Sequence, residues 1–110
     1  MLYHSDGFTE PILQDLIELG VNAINPVQPE HMDATAIRRR FGDSLALWGT
    51  VGTQAAFSTA RPGAIREEVA HRIRTLGRGG LLLSPAYGVD TPENSGANLV
   101  EFLRAARELG

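Results

Sequence analysis

An α/β fold on a parallel sheet is what this 110-residue sequence predicts. Short apolar runs alternate four times with segments whose apolar residues recur at helical spacing, and each segment ends at a glycine: Gly20, Gly42, Gly77 and Gly110. Two of the runs, "LALW" and "GLLLS", are continuous rather than alternating, the pattern of strands buried on both faces. The polar clusters all follow the strand patterns, where parallel α/β folds collect their functional groups.

Each element has its own signals. Leu2-Tyr3-His4 forms the first strand, followed by a helix from about Pro11 to Leu19. Thr9 suits its N-cap, Pro11 its first turn and Gly20 its end. Ile12, Leu13, Leu16 and Ile17 give this helix one apolar face. The second strand, about Val21 to Ile24, leads through "NPVQPEHM" to a helix from Asp33 to Phe41. Arg38-Arg39-Arg40 inside that helix reads as a solvated face. The third strand spans about Leu45 to Val51, with Trp48 expected in the core, and ends in "GTVGTQ". Its helix runs from about Gly63 to Leu76, with Ile65, Val69, Ile73 and Leu76 on one side. The fourth strand, about Gly80 to Ser84, passes through "SPAYG" to a helix from about Glu93 to Leu109. Leu99, Phe102, Leu103 and Ala106 line that last helix.

Four βα units are half of the eight that close a (β/α)8 barrel. An open four-stranded parallel sheet exposes two edges, and Leu2 opens a strand with no lead-in. The expectation is therefore a single partial domain over residues 1–110, the second half of a TIM-type barrel. Its complement would be a missing N-terminal half or a second copy of the chain.

Composition narrows the chemistry. The net charge of −3 gives no general attraction to nucleic acid or to an anionic membrane. No apolar run approaches the ~20 residues of a membrane span, and no signal-peptide pattern is present, so the expected location is the cytoplasm. With no cysteine, thiolate and disulfide chemistry are excluded, and a metal would need His, Asp or Glu. At the strand ends, His4 and Asp6 could hold a substrate oxygen, share a proton or bind a metal. Asn25 and Gln28 offer amide donors and acceptors, with Pro26 and Pro29 stiffening their loop. Gly49, Gly52 and Gln54 form a permissive turn where backbone could approach a ligand. Tyr87 offers a phenol, and Glu30 and His31 are weaker candidates at the mouth. His71, mid-helix, reads as exposed.

At these loops the sequence resembles the uroporphyrinogen decarboxylase superfamily. The matching stretches are "HSDG", "DLIELGVNAINPVQPEHMD", "RRRFGDSLALWGTVGTQ" and "GGLLLSPAYGVDTPENSGANLVEFLRAARELG". The likeness spans essentially the whole chain and implies the C-terminal half of that family's barrel. "INPVQPEHMD" and "LALWGTVGTQ" look more like the methyltransferase-like and uncharacterised members than like the decarboxylases. The resemblance thus implies methyl transfer of the corrinoid- or thiol-dependent type, with uroporphyrinogen decarboxylation in porphyrin biosynthesis as the alternative. The ligand would be a tetrapyrrole-related or methyl-donor small molecule. In the zinc methyltransferases a histidine and two cysteines bind the metal. His4 matches that histidine, while Asp6 and Tyr87 stand where the cysteines would be, which leaves His4 and Asp6 as the Zn²⁺ ligands implied. Gly52 stands where relatives commonly carry an aspartate. An inactive truncated fragment and a small-ligand-binding module are the remaining alternatives.

Overall fold

The computed structural model describes residues 1–52, 61–77, 79–86 and 96–110, with Pro62 by its backbone only. Four strands, β1 (Leu2–His4), β2 (Ala23–Val27), β3 (Ala46–Val51) and β4 (Leu81–Pro85), pair in parallel and in chain order. The helices α1 (Leu13–Glu18), α2 (Ala34–Phe41), α3 (Pro62–Leu76) and α4 (Gly96–Leu109) alternate with them. The α/β expectation holds, and the unit count is half that of a (β/α)8 barrel.

Local chemistry sets the element ends. A 3-10 turn at Glu10–Ile12 leads into α1. Thr9, expected as its cap, makes no capping bond; its buried hydroxyl donates to Met32 Sδ at 3.4 Å. Gly20 does end α1. At φ +98° its N–H donates to the Ile17 carbonyl, and the Val21 N–H reaches back to Leu16. This pairing satisfies two helix-end carbonyls and needs a left-handed residue between them. Asp33 caps α2, its Oδ1 accepting from the Ala36 N–H at 3.0 Å.

Register decides which face of each strand meets the helices. Tyr3, Ile24, Leu47 and Leu81 are cross-strand neighbours. Ile24 and Leu47 are buried with Leu13, Ile37, Phe41 and Leu76, and Tyr3 and Leu81 pack against them. Val51 and Leu83 join Ile65, Val69 and Phe102 beneath α3 and α4. The opposite face carries Leu2, Ala23, Ala46, Trp48 and Leu82. There Leu2 is 48% and Leu82 46% exposed, and Trp48 is half-buried. The continuous apolar runs therefore do not mark strands covered on both sides here. Helices cover one face, and the face a barrel would turn inward is open.

Several local expectations are corrected. β2 runs on to Val27, so Asn25 and Pro26 lie within the strand; a register shift between Ile24 and Val27 accommodates the proline. Ile12 and Leu103 point outward, Leu103 being 60% exposed, while Ala105 and Asn98 fill the inner side of α4. Arg38 is not part of a solvated face. Its Nη1 donates to the carbonyls of Gly42 and Leu45 at 3.0 and 3.2 Å, and its Nη2 to that of Gly80 at 2.9 Å. One guanidinium thus joins the end of α2, the start of β3 and the turn before β4. Arg39 and Arg40 are exposed as expected, Arg40 lying 4.9 Å over the Phe41 ring.

Two changes test this framework. Arg38→Ala removes three hydrogen bonds that join three segments, although the Gly80 carbonyl still accepts from the Leu47 N–H. It is expected to cost about 2 kcal/mol in urea unfolding, with Arg38→Lys recovering part of the loss. Gly49 sits at φ +114°, where a Cβ would stand 3.1 Å from the Val27 nitrogen and 3.3 Å from its oxygen. Gly49→Ala is therefore expected to lower stability by about 2 kcal/mol in the same measurement.

Candidate active site at the carboxyl ends of the strands

Parallel pairing brings the ends of all four strands to one edge of the sheet. His4 closes β1 directly beside Asn25 of β2, and the Ser5 N–H donates to the Asn25 carbonyl at 3.0 Å. Side chain meets side chain as well: His4 Nδ1 and Asn25 Oδ1 are 2.7 Å apart. An amide oxygen only accepts, so Nδ1 carries the proton and donates. In the neutral ring that leaves Nε2 as a free lone pair on an exposed side chain. Asn25 thereby fixes the tautomer, as the outer partner of a catalytic or ligating histidine does.

The other expected residues distribute as follows. Asp6 lies beyond the end of β1 and is exposed; its carboxylate has no hydrogen bond or ion pair among the described residues. The structure pairs His4 with Asn25 rather than with Asp6. Gln28 is buried, and its Oε1 accepts from the Gly7 N–H at 2.9 Å. It ties the loop after β1 to the end of β2. Gly49 packs against the backbone of Val27 and Ala86. Gln54 and Tyr87 lie outside the described residues. A zinc site takes three or four protein ligands. Among the described residues no three His, Cys, Asp or Glu groups converge, and His4 and Asp6 would supply two of that number.

His31 lies on the loop after β2 and His71 on α3. They line a polar cleft of about 470 Å³ with Glu30, Asp33 and Arg72, between the loop after β2 and α3. The Glu30 carboxylate also rests against Gly52, where any side chain would overlap it. Thr50 escaped the sequence reading altogether. It is fully buried at φ +74°, and its Oγ1 has no hydrogen-bond partner. A β-branched residue in that conformation is an outlier, and no sequence pattern announces it.

With the geometry established, known proteins supply the context. No family model matches the chain. It is 32% identical over 98 residues to a uroporphyrinogen decarboxylase of Pseudomonas syringae pv. tomato, and 32% over 102 residues to one of Pseudomonas entomophila. Each match covers 88% of this chain and 26% of the relative. The fold is similar to that of a methyltransferase from Methanosarcina mazei, with TM-score 0.74 and 21% identity, over 97% of this chain and 30% of that one. The chain is an α/β member of the uroporphyrinogen decarboxylase superfamily. It spans about a quarter of the length of the curated relatives it matches.

The His4–Asn25 contact makes a direct prediction. In Asn25→Ala the acceptor for Nδ1–H is gone, and His4 is expected to move from the Nδ1–H tautomer toward Nε2–H. Long-range ¹H–¹⁵N correlation of the imidazole reads the two forms. An unchanged tautomer in the variant counts against Asn25 as the controlling group.

Proposed function

We propose that this chain is the C-terminal half of a barrel enzyme whose active site lies at the carboxyl ends of its strands, and that the reaction is methyl transfer. The observation that carries this reading is the His4–Asn25 pair, which leaves a basic Nε2 free beside the open sheet face. In transfer to a thiol, Nε2 takes the S–H proton while sulfur forms the new bond to the methyl carbon. The bond to the donor breaks with its electron pair leaving on the donor. Asp6, Gln54 and Tyr87 lie on the segments that would orient the two reactants, and Asn25 and Gln28 shape the wall between them.

Charge favours this over the alternative. Among the described residues, the segments following the strands hold Asp6, Glu10, Glu30 and Asp33 against one cation, Arg61. Such an edge repels a polycarboxylate like uroporphyrinogen unless other parts of the barrel supply the cations. The decarboxylase reading remains the second one, because the curated relatives carry that name. With either substrate the open face bearing Leu2, Trp48 and Leu82 would be the wall of a barrel interior and would need a complement.

The discriminating experiment assays the complemented protein for methylcobalamin demethylation with a thiol acceptor and, separately, for carbon dioxide release from uroporphyrinogen. The expectation is thiol-dependent demethylation, with kcat lowered about 10²- to 10⁴-fold in His4→Ala. Carbon dioxide release without methyl transfer establishes the decarboxylase reading. Full methyl transfer by His4→Ala removes the histidine from the reaction.

A further inference from the structure

Alternation along the strands sorts the open sheet face into layers. His4 of β1 is the register partner of Asn25 of β2. Asn25 and Trp48 each follow the Ile24–Leu47 pair by one residue, and Trp48 is paired with Leu82 of β4. One layer therefore carries His4, Asn25 and Trp48 side by side. The imidazole and the indole rise from strands separated only by β2, roughly 10 Å apart at the backbone. Asn25, between them, is turned to His4 by the 2.7 Å contact. The layer beneath holds Ala23 and Ala46, whose methyl groups leave the space between the two rings open.

None of these side chains carries a fixed charge, and the charge near them is of one sign. Asp6 follows His4 by two residues, and its carboxylate has no hydrogen bond or ion pair among the described residues. The chain has no lysine, and residues 1–37 contain no arginine. Arg38 is engaged at the opposite edge of the sheet, and Arg61 faces Glu67 at 3.5 Å. An indole face attracts cations through its quadrupole, more strongly than any other side-chain ring. Carboxylates at the mouth raise the local concentration of the same ligands. The apolar surroundings narrow the kind of cation. A primary ammonium would leave N–H donors unpaired against indole and alanine, at a cost. A positive atom covered by methyl groups has no donor to satisfy.

We propose that the space between His4 and Trp48 binds an onium group, a quaternary ammonium or tertiary sulfonium, and that this group is the methyl donor. The assignment rests on the methyl-transfer reading above and names its substrate class. Trp48 holds the cationic centre against its ring, with one methyl carbon turned toward the thiol acceptor. The S–H proton passes to His4 Nε2, sulfur forms the bond to the methyl carbon, and the carbon–onium bond breaks. Its electron pair stays on nitrogen or sulfur, so a neutral amine or sulfide leaves. The positive charge of the donor ends on the imidazolium.

Both rings belong to this chain, so the chain itself is titrated with choline and, separately, with 3,3-dimethyl-1-butanol. The two probes share one shape and differ in charge. Calorimetry is expected to give a dissociation constant on the order of 1 mM for choline, and binding at least about tenfold weaker for the neutral probe. The headgroup methyl protons of choline are expected to shift upfield in the ring current of the indole. Trp48→Leu is expected to lose that shift and to weaken choline binding about tenfold, with Trp48→Phe retaining part of it. Equal binding of the two probes overturns the proposal on the unaltered chain, whatever the variants do to folding. Absence of choline binding overturns it too, as does a folded Trp48→Leu chain that binds choline as wild type does. Methyl transfer from methylcobalamin by a protein that binds no onium sinks this inference and leaves the reaction standing. Onium binding at Trp48 without any methyl transfer supports the site and sinks the reaction.

Discussion

Parallel pairing of the four strands in chain order is the constraint on which the rest depends. It puts every helix on one face, because each crossover between adjacent parallel strands turns the same way. It also puts every strand's carboxyl end on one edge, so residues far apart in sequence become neighbours there. His4 and Asn25 meet for this reason alone: they are register partners at the ends of β1 and β2. The same pairing leaves a sheet with one dry face and one bare one. The single guanidinium of Arg38 secures the opposite edge, binding three carbonyls from three segments.

The periodic elements were legible because local signals and tertiary structure agree there. Gly20, Asp33, Gly42 and Gly77 mark ends that backbone hydrogen bonding and left-handed geometry require. Ile65, Val69 and Leu76 are buried where helical spacing places them. What escaped the sequence depends on partners far along the chain. Arg38 sits in a run of three arginines, and nothing local distinguishes the one whose partner is the Gly80 carbonyl. Pro26 reads as a strand breaker, yet it lies in β2 where the register slips. Leu103 follows the spacing of its helix but falls on the outer side, since the rotation of α4 is set by Asn98, Phe102 and Ala105.

The site shows the same division. The sequence pointed to the strand ends and to His4, because a parallel α/β pattern fixes where loops gather. It paired His4 with Asp6, two residues on, since alternation along one strand is all that a linear reading offers. The structure prefers the cross-strand neighbour. That difference changes the chemistry, for a carboxylate would bring a negative charge to the ring, whereas an amide oxygen brings only an acceptor. Thr50 lies further from reach. Its left-handed backbone and unsatisfied hydroxyl have no counterpart in any local sequence pattern.

The chain holds a single tryptophan, and it stands half-buried on the bare face of the sheet. Indole emission shifts to shorter wavelength when water leaves the ring. Trp48 therefore acts as an intrinsic optical gauge of whatever covers that face, with no label attached and no competing indole signal. Its spectrum distinguishes a solvated sheet from a dry one in dilute solution, and the time course of the shift gives the rate at which the cover arrives.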